Sequence, residues 1–425
     1  MPDCACTEPS NGTDSRSVLR SGRHLVHDDP PKPNQSRTSG RTPGRRNPVS
    51  QTVDRFVKTT FRNAAPYNAE HHDFAWQHRQ LARMMSNECP IPPSEGVRAA
   101  VREAFDVGHL YPYSGKDLVA ALAEYNSVPP ESIVLGNGST EVLDVLVRLL
   151  VGPGDETIIA TPTYAFFESQ TRIYGGAPKA VPLTSSWDLD VEAMLSAITE
   201  RTKAIFLCSP NNPTGKGWRR DQLVRLLDTG IPVVVDQAYL ECGYAESFAP
   251  LVSCHPNLVI ARTMSKGFGL AALRVGYLIG DPELIDIVQR VRIPFSISLM
   301  AIWGCLQALA EPEELRRRRE FISSEADRLH AAMQQMEGVK SYPSDGNFVL
   351  ADISASGRSV SDVVDALLAE DILIRAMGAH GLKGSHVRVT VGTTEQNDRF
   401  LKLFEELLLP PAMPRLSHRG EGRLT

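Results

Sequence analysis

No apolar run in the 425 residues approaches the ~20 that a helix needs to cross a bilayer, so no membrane span is expected. A basic excess is missing too: 45 Lys and Arg stand against 50 Asp and Glu, a formal charge of -5. Nucleic-acid binders carry a marked basic bias, so no nucleic-acid partner is expected. Cysteine is scarce. The seven are scattered and odd in number, which speaks against a disulfide framework and for a reducing cytoplasm. The opening MPDCACTEPS contains no apolar stretch, and no export signal is read there. Asp3, Glu8, Asp14, Asp28 and Asp29 argue against a transit peptide, and Gly44-Arg45-Arg46 lacks the apolar segment of a twin-arginine signal. Cys4 and Cys6 resemble half of a metal site, but no second pair lies nearby, so no metal is expected.

What is present divides the chain. Apolar residues make up 42% and charged residues 22%, which suits a large core. One core stops growing near ~250–300 residues, so two domains are expected. Residues 1–60 hold ten Lys or Arg and six Asp or Glu, and seven prolines fall in the first fifty positions. Such a segment buries too little apolar surface to offset its ordering entropy, and residues 1–66 read as a disordered tail. From Tyr67 the sequence becomes globular. Ile133-Val134-Leu135, Thr157-Ile158-Ile159, Ala204–Leu207, Val233-Val234-Val235 and Leu258-Val259-Ile260 read as buried strands. Amphipathic stretches such as Glu141–Leu150 and Asp221–Asp228 lie between several of them, the pattern of parallel βαβ units. A helical pattern over Ala308–Met336, interrupted near Pro312, precedes Asn347–Leu350 and Val387–Val391, which suit a smaller C-terminal domain. Pro410–Thr425 reads as a loose tail.

Four motifs carry chemistry. In Leu135-Gly136-Asn137-Gly138-Ser139-Thr140-Glu141 a strand ends, glycines turn the chain and a helix begins. Free N–H groups there can cradle a phosphate, with the Ser139 and Thr140 hydroxyls as extra donors. The same residues can equally cap the helix, and no Gly-Lys-Ser/Thr follows to make a Walker loop. Ser209–Gly215 follows an apolar strand, where α/β sheets bind ligands, and Asn212 offers an amide; the plain alternative is a rigid turn. Asp236 closes Val233-Val234-Val235, and a buried carboxylate there needs a cation or proton donor. Tyr239, three residues on, can reach the same ligand or simply pack. In Arg262–Leu270, Lys266 sits amid small, apolar and hydroxyl residues; burial would lower its pKa and make it a nucleophile. Thr263, Ser265 and Arg274 can hold a phosphate. A phosphate cup, a strand-end Asp and a Ser-x-Lys followed by Arg together suit pyridoxal phosphate: phosphate anchored, ring nitrogen kept protonated, aldehyde held by lysine.

On these motifs, with Ser86-Asn87-Glu88, Tyr111-Pro112, Thr161–Tyr164 and Arg388–Gly392, the sequence resembles the fold type I pyridoxal-phosphate enzymes, and within them the histidinol-phosphate aminotransferase branch of the class I/II aminotransferases. The likeness runs from about Met85 to Leu408. It implies an α/β, aspartate-aminotransferase-like fold: a large domain with a mostly parallel sheet flanked by helices, and a smaller α+β C-terminal domain. The corresponding limits are an arm over 67–112, a large domain over 113–307 and a small domain over 308–409. The resemblance implies that pyridoxal 5'-phosphate is the cofactor and Lys266 its Schiff-base lysine and proton shuttle. It also pairs Asp236 with the ring nitrogen, and Asn212 and Tyr239 with the ring hydroxyl. Tyr164 stacks on the ring, and Ser139, Thr140, Thr263, Ser265 and Arg274 bind the phosphate. Tyr111 reaches the partner subunit's cofactor, which implies a homodimer. Arg388 clamps a substrate carboxylate, Asn87 lines the substrate side, and Arg375 lies at the distal end or is a strand-edge surface charge.

Some positions depart from the family pattern. Cys89 stands where Asn is commoner, Gln237 where Glu is usual and Thr140 where Asp is common; Pro294-Phe295-Ser296-Ile297 lacks an expected Asn. All of these bear on the substrate rather than on the cofactor. The expected activity is transfer of an amino group between an amino acid or amine, histidinol phosphate among them, and a 2-oxo acid. A decarboxylase or oxidase on the same scaffold is the alternative, because the sequence does not set which Cα bond lies perpendicular to the ring.

Overall fold

A computed structural model describes residues 56–62, 64, 69–378, 382 and 384–408. Most of the expected tail over 1–66, the tail from Pro410 and the Cys4–Cys6 pair lie outside the described residues. Thr59–Arg62 form one helical turn, with Phe61 edge-on to Tyr174 at 6.2 Å.

The first strand, β1 (Ala82–Arg83), belongs to the arm. The next seven are β2 (Ile133–Asn137), β3 (Glu156–Thr161), β4 (Ala177–Pro182), β5 (Thr202–Cys208), β6 (Val233–Asp236), β7 (Leu258–Thr263) and β8 (Val275–Ile279). They form one sheet in the order β2-β8-β7-β6-β5-β3-β4. β8 alone runs opposite to the other six strands. Strands covered on both faces need apolar residues at successive positions. That explains the unbroken runs: Leu135, Ile158, Ile205, Val233, Val235 and Ile260 face one core, while Val134, Ile159, Phe206, Val234 and Val259 face the other. The first core is covered by α1 (Glu95–Asp106), α2 (Lys116–Asn126) and a later apolar helix, the second by α3 (Gly138–Leu150).

The later helix is α4 (Leu299–Leu309), and α5 (Pro312–Gln334) follows after a break. The break sits where the sequence reading put it, because proline fits the first turn of a helix but not its interior. Beyond it lie β9 (Lys340–Tyr342), β10 (Phe348–Asp352), α6 (Val360–Ala369), β11 (Ile372–Leu373), β12 (Arg375–Ala376), β13 (His386–Thr390) and α7 (Thr394–Leu408). The second sheet is antiparallel, in the order β12-β13-β10-β9, and shares a separate core with α5, α6 and α7. The arm joins this part: β1 pairs parallel with β11, Ala82 opposite Ile372. The fold is therefore α/β with a mostly parallel central sheet, plus a smaller α+β part. Among the described residues no helix is long and apolar enough to cross a membrane.

Candidate active site

Parallel strands end on one edge of the sheet, and that edge collects the motifs. Gly138 follows β2, Tyr164 follows β3, Asn212 follows β5, Asp236 ends β6 and Lys266 follows β7. Asp236 is 3% exposed, and its Oδ1 accepts the Ala238 N–H at 2.9 Å. No Lys, Arg or His among the described residues is in ion-pair contact with it. Burial pushes its carboxyl up to about 7. A carboxylate so placed calls for a cationic or proton-bearing partner.

Lys266 answers the same logic with the opposite sign. Burial, then the Arg388 charge, lowers its amine to about 8. Its Nζ donates to the Ser86 carbonyl at 3.0 Å and lies 5.7 Å from the Tyr239 ring centre. The Tyr239 hydroxyl oxygen accepts from Asn87 Nδ2 at 3.0 Å and Asn212 Nδ2 at 3.3 Å. Burial raises the phenol's pKa, so it stays protonated. Behind these loops Arg262 and Glu241 form a buried ion pair at 3.3 Å, and Gln237 Oε1 takes a second Arg262 N–H at 3.1 Å. That pair ties the loop after β6 to β7, the strand that leads into Lys266.

The phosphate cup is built from three segments. Thr263 Oγ1 and Ser265 Oγ lie 2.9 Å apart, and Arg274 Nη1 donates to Ser265 Oγ at 3.1 Å. Gly138, the first residue of α3, has φ +77°, and a Cβ there would lie 2.3 Å from Arg274 Nη2. Only glycine lets the helix start and the guanidinium meet. Ser139 is half-buried and Thr140 exposed, both in the first turn. The capping alternative is not what forms: the N-cap is Asn137, and it makes no side-chain cap bond. Tyr164 stands beside this edge, stacked on Phe166 at 5.6 Å. Its loop is fixed by Thr163 Oγ1 donating to Asn211 Oδ1 at 2.7 Å and by Asn211 Nδ2 donating to the Pro162 carbonyl at 3.0 Å.

The smaller sheet supplies the remaining wall. Arg388 Nη1 donates to Asn212 Oδ1 at 2.6 Å and its Nη2 to the Met85 carbonyl at 2.7 Å. Asn87 is 1% exposed with φ 54°; its N–H donates to Thr390 Oγ1 at 2.9 Å, and its carbonyl takes Asn347 Nδ2 at 2.9 Å. Arg375 of β12 faces Arg388 of β13 across the ladder.

A buried acid that calls for a cation, a buried amine of lowered pKa, and a glycine–arginine cup together fit pyridoxal phosphate. The comparisons agree. The family model for aminotransferase class I and II matches residues 80–404. A histidinol-phosphate aminotransferase from Symbiobacterium thermophilum is 38% identical over 333 residues, 77% of this chain and 91% of that protein. The chain belongs to the class I and II aminotransferases. Histidinol-phosphate aminotransferase 2 from Pseudomonas fluorescens is 35% identical over 77% of the chain and 89% of its own length. The crystal structure of the Sinorhizobium meliloti histidinol-phosphate aminotransferase, in complex with pyridoxal-5'-phosphate, superposes with a TM-score of 0.75 at 25% identity, covering 83% and 97% of the two chains.

Not every expected residue of this aminotransferase gathers in one chain. Tyr111 is 86% exposed and meets Phe295 at 5.3 Å, on the outside. Other participants escaped sequence reasoning. The Ser86 carbonyl is backbone and leaves no mark on residue type. Asn347 stands just before the apolar start of β10 and Thr390 closes β13, both buried polar residues that need partners, a signal the sequence offered only weakly. His71 and His72 sit in a polar helix with nothing in the sequence to single them out.

Proposed function

We propose that this chain moves an amino group from histidinol phosphate to a 2-oxo acid. The enzyme is a transaminase, and its cofactor is pyridoxal 5'-phosphate. The decarboxylase or oxidase alternative is not favoured, since the relatives matched are named as aminotransferases. When bound, the cofactor supplies a carbonyl that condenses with amines and a ring that accepts electrons. Lys266 would hold it covalently and, once released, take the proton from the donor Cα and carry it onward, away from that carbon. Its lowered pKa suits it to that task near neutral pH. Asp236 would hold the proton on the ring nitrogen, and Asn212 and Tyr239 would donate to the ring oxygen. Tyr164 would pack on the ring face. Ser139, Thr140, Thr263, Ser265 and Arg274 would bind the phosphate. Asn87 would line the donor side, and Arg388 would clamp the carboxylate of the acid that binds in the other half of the cycle, a task for a planar two-pronged cation.

The observation that carries the chemistry is the buried pair of Lys266 and Asp236, each shifted toward its neutral form by burial, on one sheet edge. The choice of donor is supported by the similarity to histidinol-phosphate aminotransferases over about nine-tenths of their length. We further assign the arm to 67–112, the large domain to 113–307 and the small domain to 308–409, with Tyr111 completing the cofactor site of a partner in a homodimer. A cytoplasmic location agrees with the free state of Cys89, Cys208, Cys242, Cys254 and Cys305. The test is a half-reaction without acceptor. Histidinol phosphate should convert the cofactor to pyridoxamine phosphate, with the matching oxo product identified by mass spectrometry. Lys266→Ala should lower the rate by about 10³-fold or more. An amine product with carbon dioxide, or conversion by other donors only, would refute the assignment.

A further inference from the structure

A second cluster lies close to the same site, on the arm. The helix Glu70–Gln77 carries His71 and His72, both half-buried, with ring centres 4.3 Å apart. His72 Nε2 lies 3.4 Å from Ser86 Oγ, and the carbonyl of that same Ser86 receives the Lys266 amine. His72 is therefore one residue removed from the Lys266 nitrogen, and His71 stands against it.

The charges around the pair are uneven. Arg375, Arg388 and Arg83 act on His71, and Glu88, Arg83, Arg375 and Lys266 act on His72. Glu88 already holds Arg83 through two bonds, at 2.8 and 3.1 Å, so this acid and this base offset each other. Arg375 makes no hydrogen bond or ion pair with any described residue. It also stands directly opposite Arg388, so both side chains leave the same face of the sheet. Like charges directly opposed are destabilising, and an anion between them removes that cost. Burial, followed by Arg375, lowers His71 to about 4, and His72 is lowered too, burial again first. Both rings are thus neutral at pH 7 before an anion arrives, and an anion beside them reverses the balance.

We propose that His71 and His72, together with Arg375, bind the distal anionic group of the amino donor, and that the histidine pair takes up a proton as that group arrives. The inference rests on the transaminase reading above and adds to it the arm helix as a specificity element. A phosphate monoester suits the site, because three terminal oxygens can meet an arginine, one imidazolium and one neutral imidazole N–H at once.

Calorimetric titration of the cofactor-loaded enzyme with inorganic phosphate at pH 7, in two buffers of different ionisation heat, reads affinity and proton uptake together. Inorganic phosphate sheds part of a proton when it binds as the dianion, so proton uptake by the histidines is read as the difference between the native enzyme and the variant. The double variant His71→Asn, His72→Asn should lose it and bind phosphate about tenfold more weakly, the scale of one lost charge-assisted hydrogen bond. No phosphate binding by the native enzyme, or unchanged uptake and affinity in the variant, overturns the proposal. The cofactor's absorbance verifies that the variant keeps its site. Donor kinetics give an independent check: kcat/KM should fall for histidinol phosphate and stay level for histidinol. Equal loss with both donors would make the histidines merely structural and overturn the proposal. If neither donor is converted by the native enzyme while phosphate binds with histidine-dependent proton uptake, the assigned donor fails and the anion site stands.

Discussion

At the residue scale the site is governed by groups held in a protonation state that water would not favour. Asp236 is the clearest case. Its carboxyl is raised from 3.8 to about 7 by burial, so the cofactor-free fold binds its proton more tightly than the unfolded chain does. The stability this gives is full below pH 3.8 and is lost as pH rises toward 7. Replacement by Asn mimics the neutral acid. Cofactor-free Asp236→Asn should therefore exceed the native protein in stability at pH 8, by a few kcal/mol and at most about 4, and the gap should close as pH falls from 7 to 4. Urea unfolding of the two cofactor-free proteins across that range measures it. A gap that does not depend on pH would mean that Asp236 is not held in this way. The same variant should retain the cofactor poorly, because the ring nitrogen loses its charged partner. The acid is placed for binding at the expense of the empty fold.

At the scale of elements, the join between β2 and α3 decides whether phosphate can be held. The helix starts on Gly138, whose positive φ costs other residues about 1–2 kcal/mol. A methyl group there would also press on the Arg274 guanidinium. Gly138→Ala should thus leave the fold standing but raise the dissociation constant for pyridoxal phosphate about 10- to 100-fold, as one charge-assisted hydrogen bond is lost. Fluorescence titration of the cofactor-free variant tests this, and unaltered affinity would remove Arg274 from the cup. The glycine-loop motif was legible in the sequence because strand, turn and helix follow one another locally. Its partner was legible only as a candidate. Nothing in Leu273-Arg274-Val275 says that the guanidinium points at a helix start more than 130 positions earlier.

For the whole molecule, the outward face beside the cup matters most. Tyr111, Phe295 and Ile293 are all more than 60% exposed, an unusual gathering of large apolar groups. The loop that carries Phe295 is tied to the cofactor edge: Asn137 Nδ2 donates to the Ser296 carbonyl at 3.0 Å, and Ser296 Oγ donates to Glu141 at 3.0 Å. A second copy seated on this face would cover apolar surface and bring its own Tyr111 to the site. Light scattering should accordingly find twice the 46.6 kDa chain mass for the native protein. Phe295→Asp should shift it toward the monomer and weaken cofactor retention together. A monomeric variant with full retention would separate the dimer from the cofactor site and refute the role assigned to Tyr111.

Five of the seven central strands, though not β4 or β8, were legible in the sequence, as were the order of the motifs and the candidate reactive groups. Local chemistry governs all three: apolar runs for strands buried on both faces, glycines for a turn, a lysine among small residues for a nucleophile. Tertiary structure alone decided how these groups act on one another. Burial of Asp236 and Lys266 shifts both toward neutrality, and neither shift can be read from residue type. The register of β12 on β13 sets Arg375 against Arg388, and the arm returns over β11 to bring His71 and His72 beside them. The arm's contacts join residues some 300 positions apart. Distance in the chain carries no record of which charges will share a pocket, and only packing decides that.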